Sequence, residues 1–165
     1  AALAARRNGT LRLVHAISPA EVGLHPAQVD WLRERLRRKL VAEGNRLRGL
    51  GATVIESPVL GRPHEVLTAV ARYSKADLIV VSSLKHCLPM RWLTGSVAER
   101  TAQNATVPTL VVRDYKRLLA WAEGKRPLDV FVGCDLSPSS DAALRWMASL
   151  REVGPCRITV MSRVR

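Results

Sequence analysis

The sequence predicts an α/β fold, a doubly wound parallel sheet with helices on both faces. Three observations carry this expectation. DLIVVSS (77–83) is a continuous apolar run of strand length, as suits a parallel strand covered on both sides. Strand-like and helix-like segments alternate from Thr10 to Arg113. After a break, a fresh strand, helix and strand follow from Leu128 onward.

Each element follows from local signals. Residues 1–7 read as the last turns of a helix, and Asn8-Gly9 as the turn into a strand, TLRLVHAI (10–17). From Pro26 to Leu50 the pattern is helical, with Leu32, Leu36, Leu40 and Leu47 tracking one face. Arg33, Arg37 and Arg38 lie off that stripe, and Glu34 precedes Arg38 at ion-pair spacing. Gly51 closes the helix, and ATVIESPVL makes a second strand with Pro58 near its end. Gly61-Arg62-Pro63 turns into a helix running to about Lys75, with Val66, Leu67, Val70 and Ala71 inward. Leu84 to Thr94 is irregular. Gly95-Ser96 opens a helix to about Ala105, and Pro108 ends the turn before the strand TLVVR (109–113). Residues 114–127 read as a linker holding a short helix. LDVFVGCD is then a strand, Ser137-Pro138 starts a helix to about Arg151, and RITVMSRV is a further strand.

Composition narrows the function classes. The 165 residues suffice for one well-buried core, and 47% hydrophobic with 24% charged residues describes a globular chain. No apolar run approaches the roughly 18 residues of a membrane span. AALAARRNGT places its charges after its apolar stretch, the reverse of a secretory signal. Cys87, Cys134 and Cys156 have no metal-like spacing and cannot all pair, which points to a reducing cytoplasm. His86 beside Cys87 has no second pair to complete a metal site, so no metal is expected.

The net charge of +12 raises a nucleic-acid reading. The excess is spread as +3 over 1–19, +3 over 20–50, +3 over 51–113, +2 over 114–127 and +1 over 128–165. A phosphate-tracking surface concentrates charge on one element with aromatics between, and this chain does not. Four acids in residues 20–50 also cancel over half of that segment's positive charge. Trp31, Trp92, Trp121 and Trp146 are scattered and read as packing residues.

An internal repeat is visible. LRLVHAI (11–17) overlays ITVMSRV (158–164) at an offset of 147 residues, which also lays LAARRNG (3–9) over LREVGPC (150–156). Both strands follow a helix end and a polar turn. Residues 128–147 have no upstream counterpart, so the first copy is expected to lack its opening strand and most of its first helix. The organisation expected is a first domain over 1–113, a linker over 114–127 and the start of a second domain over 128–165.

Several segments, in order, resemble the universal stress protein family. They are Gly61-Arg62-Pro63, Ala76-Asp77-Leu78-Ile79-Val80, Gly95-Ser96-Val97-Ala98-Glu99-Arg100 and Pro108-Thr109-Leu110-Val111-Val112. The family's opening pattern, a strand ending in Asp followed by Ser-Pro-x-Ser and Ala-Leu, is similar to Asp135, Ser137-Pro138-Ser139-Ser140 and Ala143-Leu144. The resemblance covers nearly the whole chain and implies a Rossmann-like sheet of the adenine-nucleotide alpha hydrolase type.

The resemblance also implies an ATP-type site. Such a site needs glycines in the loop after the central strand, so that backbone N–H groups can approach phosphates, and a helix N-terminus beyond. The family's spacing is Gly, two residues, Gly, nine residues, Gly-Ser. Counting back from Gly95 puts its loop glycines at Ser82 and Lys85, both replaced. Gly95, Ser96 and Val97 keep the helix end. Lys85 could hold a phosphate by charge; otherwise Ser82 and Lys85 are ordinary loop residues and Gly95-Ser96 a helix cap. The family's His-Val pair falls on His15-Ala16, which adds Ala16 to the expected nucleotide contacts and leaves His15 a packed strand-end residue. Asp135 is the second copy's candidate for the adenine or ribose edge.

No nucleophile, base and orienting acid come together in a recognisable motif, and His64-Glu65 is explained by its place at a helix start. The resemblance implies a tandem universal stress protein, a cytoplasmic stress-response regulatory or protective module, and no dedicated catalysis is expected. The resemblance further implies pairing of copies or chains through Thr109 to Arg113. Two alternatives stand: an ATP-binding switch or slow ATPase using Gly95, Ser96 and Lys85, and a nucleic-acid-binding protein using the Arg-rich helix.

Overall fold

The structure is a computed structural model that describes residues 4–5, 8–18, 26–82 and 96–162. The chain divides into two units, residues 10–113 and residues 1–9 with 114–165.

In the 10–113 unit, strand β1 (Thr10–Ile17) runs parallel to β2 (Thr53–Leu60), with Leu11 opposite Val54 and Ile17 opposite Leu60. The crossover between them is helix α1 (Pro26–Arg48). Its stripe behaves as the periodicity predicts: Leu32, Leu36 and Leu40 are half-buried and Leu47 is buried. The helix stops where Gly51 enters the left-handed region at φ 83°, with its N–H on the Arg48 carbonyl at 2.9 Å. A second glycine, Gly61 at φ 141°, leads out of β2 and donates to the Ile17 carbonyl at 2.9 Å, tying the ends of both strands. Pro63 then takes the first turn of α2 (Pro63–Tyr73), which buries Val66 and Ala71.

β3 (Ile79–Ser82) pairs in parallel with β4 (Thr109–Val112), Ile79 opposite Thr109 and Ser82 opposite Val112. Helix α3 (Ser96–Asn104) leads to β4 and packs on it. Helix α2 links the two ladders, because it packs on β1 and on α3. Ile17, Leu47, Val54, Val66, Ile79 and Ala98 belong to this unit's core. The run 77–83 reads as the centre of a covered sheet, yet among the described residues β3 has one partner strand and Val80 is 56% exposed.

In the other unit, α4 (Tyr115–Ala122) is capped by Asp114, whose carboxylate accepts the Lys116 N–H at 3.0 Å, and it buries Trp121. β5 (Leu128–Cys134) and β6 (Cys156–Ser162) pair in parallel across helix α5 (Pro138–Ser149) and one 3₁₀ turn, Leu150–Glu152. Asp129 lies opposite Arg157 in register and takes hydrogen bonds from Arg157 at 2.6 Å and Arg126 at 2.9 Å. Leu128, Val130 and Val132 point to the better covered side of this ladder. Phe131 and Met161 on the other side are 68% and 60% exposed.

Among the described residues no helix is long and apolar enough to cross a membrane.

Candidate functional site

The chemistry-bearing residues of the 114–165 unit gather at the carboxyl ends of β5 and β6, where α5 begins. In parallel α/β sheets this end faces the ligand, because the strand-to-helix turns leave donors and short side chains free there. β5 delivers Asp135 to the turn. Leu136 then adopts φ 63°, an uncommon conformation for a branched apolar residue, and stays 81% exposed. That kink turns the chain so that the Ser137 N–H reaches Asp135 Oδ1 at 3.0 Å. Ser137 caps α5, its hydroxyl accepting the Ser140 N–H at 3.2 Å, and Pro138 fits the first turn. Ser140 Oγ donates to the Ser137 carbonyl at 2.9 Å and lies 3.4 Å from Cys134 Sγ. Cys134, Asp135, Ser137 and Ser140, with Gly133, Ser139, Met161 and Ser162, line an open cleft of about 820 Å³.

The electrostatics of the cleft are specific. Hydrogen bonds from the Ser137 hydroxyl and backbone N–H, with Ser140 adding to them, hold the Asp135 carboxyl down at about 2. Asp135 is therefore an anion near neutral pH and can only accept hydrogen bonds, so it suits N–H and O–H donors rather than phosphate. The start of α5 beside it favours negative charge. A ligand with a donor edge at one end and an anion at the other matches both. Cys134 has a hydroxyl for a neighbour, not a base. Among the described residues no three His, Cys, Asp or Glu side chains come together as metal ligands.

The residues expected at the first copy's site are distributed over three elements. Ala16 is half-buried in β1 opposite Val59, with His15 exposed beside it. Ser82 is the exposed last residue of β3. Ser96 begins α3, and Val97 follows it half-buried, its carbonyl accepting the Thr101 hydroxyl at 2.6 Å. Lys85 and Gly95 lie outside the described residues, as do His86, Cys87 and Trp92. Asp135 belongs to the other unit. The strand expected to mediate pairing, β4, is bonded only to β3 among the described residues. A shallow groove of about 390 Å³ runs beside it, lined by Ala98, Ala102, Val111 and Arg113.

Ser140 and Cys134 are the site residues hardest to find from sequence. The Ser-Pro-x-Ser motif flags the serines as a helix start, but their contact with Cys134 depends on the turn that Leu136 makes.

The family profile described as the universal stress protein family matches residues 1–113. No curated protein matches the sequence. Among solved structures, the chain is similar to a universal stress protein in complex with cAMP, 26% identical over 68% of this chain and 80% of that one, TM-score 0.53. It is also similar to the hypothetical protein MJ0577, a structural-genomics test case, 27% identical over 66% of this chain and 78% of that one, TM-score 0.58. Alternating strands and helices with parallel pairing, the ordered Gly-Ser-Val-Ala-Glu-Arg and Pro-Thr-Leu-Val-Val segments and these matches agree. The chain belongs to the universal stress protein family.

Proposed function

We propose that the chain is part of a tandem universal stress protein, a cytoplasmic stress-response regulatory or protective module without dedicated catalysis. Its first domain spans 1–113, its linker 114–127 and the start of its second domain 128–165. The first copy's ATP-type site is degenerate, because Ser82 and Lys85 stand where loop glycines would admit phosphates. The adenine-side contact is kept instead at Asp135, beside the Ser137-capped start of α5.

The single observation that carries this reading is the Asp135 turn. A carboxylate at the end of a strand is held ionised by Ser137 and Ser140, next to a helix N-terminus. A similar universal stress protein, solved with cAMP, supports an adenine nucleotide as the ligand class. Pairing of copies or chains is proposed through β4 and the adjoining Arg113, where an unpaired apolar edge needs cover. The nucleic-acid reading has less support. Arg33, Arg37, Arg38 and Arg46 on α1 are engaged by Asp30, Glu34 and Glu43, and Arg35 lies over the Trp31 ring at 5.2 Å.

Isothermal titration with ATP tests the proposal. ATP binding abolished by Asp135→Ala and unchanged by Lys85→Ala is the expected result. Binding that survives Asp135→Ala and is lost in Lys85→Ala would contradict it and favour an ATP-dependent switch in the first copy.

A further inference from the structure

Helix α1 of the 10–113 unit turns one long face to solvent. Trp31, Arg35, Arg38, Lys39, Ala42 and Arg46 recur at intervals of three and four residues, so they share one side of the helix, and all six are exposed. The stripe runs about 22 Å at the helical rise per residue. Its acids stand beside it, not on it: Glu34 is engaged from the flank by Arg37 and Arg38, and Glu43 by Arg46. Among the described residues Arg35 and Lys39 make no ion pair, and Arg37 and Arg38 share one carboxylate, so the face keeps a positive excess. We propose that this face of α1 docks on the surface of an anionic phospholipid bilayer, lying on it rather than crossing it. The inference concerns α1 alone and stands apart from the nucleotide reading.

Trp31 decides the kind of anion. Its indole is 60% exposed at one end of the stripe, with the Arg35 guanidinium 5.2 Å from the ring centroid. A tryptophan paired with a cation suits the boundary between headgroups and acyl chains. The ring has apolar surface to bury there, its N–H stays among polar headgroup atoms, and the guanidinium meets a phosphate. Arg38, Lys39 and Arg46 reach further headgroups along the same line, where each cation near an anionic leaflet adds to the attraction.

The shape of the face sets other anions aside. A single strand of nucleic acid wants aromatics between the cations for base stacking, and the one aromatic of α1 sits at the end of its stripe. An acidic peptide wants a groove or an open strand edge, and one convex helix offers neither. A flat anionic surface needs only a straight row of cations with an apolar anchor. Leu36, Leu40 and Leu47 lie on the other side of the helix, half-buried or buried, so docking leaves the packing of α1 undisturbed.

The test floats the full chain with vesicles of phosphatidylcholine carrying about one quarter phosphatidylserine, and with phosphatidylcholine alone. The expected result is retention on the anionic vesicles only, weakened by added salt. Arg35→Gln combined with Lys39→Gln should lower vesicle affinity about tenfold or more, and Trp31→Ala should lower it as well. Because the whole chain carries +12, the control removes the same charge from the other unit. Lys116→Gln combined with Arg117→Gln, both exposed on α4, should bind like the parent. No retention on anionic vesicles, equal retention on neutral ones, or equal losses in the two double variants would overturn the proposal. So would a single-stranded RNA oligonucleotide that displaces the vesicles and binds with the same dependence on Arg35, Lys39 and Trp31, because the stripe would then serve nucleic acid.

Discussion

Arg48 clasps Glu56 from helix α1 to strand β2, with Nη2 donating to Oε2 at 3.0 Å and Nη1 lying 2.8 Å from Oε1. The same Nη2 reaches the Val54 carbonyl at 2.8 Å. The clasp is possible because Gly44 leaves room: a methyl group there would run into the Glu56 carboxylate. Alanine for glycine inside a helix ordinarily stabilises by about 1 kcal/mol. Gly44→Ala should lose most of that gain, leaving stability within about 1 kcal/mol of the parent, since the Glu56 carboxylate must swing away and part from Arg48. Urea unfolding of the variant measures this, and a Gly44→Ala that keeps the full gain would refute the clasp.

Gly61 is the second glycine with a positional reason. At φ 141° a side chain is strained, and an added Cβ would lie 2.8 Å from Val66 Cγ2. Gly61→Ala should cost about 1–3 kcal/mol, read as a lower urea midpoint. Its exchange signature should be faster exchange of the residue-61 N–H, which donates to the Ile17 carbonyl.

Trp121 is 2% exposed and its indole N–H has no hydrogen-bond partner among the described residues. Trp121→Ala should destabilise by about 3–5 kcal/mol through the cavity it leaves. Trp121→Phe should cost clearly less, because the ring is largely replaced and an unsatisfied donor is removed. Equal losses in the two variants by chemical denaturation would contradict this.

Two carboxyls make a pH prediction. Hydrogen bonds from Arg37 and Arg38 lower Glu34 to about 2, and those of Ser137 and Ser140 lower Asp135 to about 2. A depressed folded-state pKa contributes stability that is complete above the unfolded value, about 4, and fades as pH falls toward the folded one. The melting temperature should thus be insensitive to these groups above pH 5 and fall between about pH 4 and pH 2. Asp135→Asn should flatten part of that slope, and added salt should reduce the Glu34 share because that pair is exposed. A melting profile of the variant parallel to the parent's throughout would count against the Asp135 turn.

Much of the fold was legible because its signals are local. TLRLVHAI became β1 residue for residue, since a turn before it and an apolar alternation within it define a strand without help from the rest of the chain. Pro63 and Ser137-Pro138 marked helix starts for the same reason, a proline that loses nothing at the first turn. DLIVVSS was less faithful: its ladder begins only at Ile79, where β4 first offers a partner. Burial of that strand depends on neighbours, and Val80 carries no mark of which neighbours it has. Trp121 reads from sequence as one of four scattered tryptophans, and only tertiary packing sets it apart as the most enclosed side chain of α4. At the site, Asp135 was visible through its motif. The left-handed Leu136 was not, since an apolar residue gives no hint of a positive φ, nor was the approach of Ser140 to Cys134 across that turn.

Photolabelling with an azido analogue of ATP, followed by peptide mapping, tests the central claim most directly. Label within residues 133–140, absent from Asp135→Ala, is the result this account predicts. Label concentrated in 82–97 and indifferent to Asp135 would contradict it.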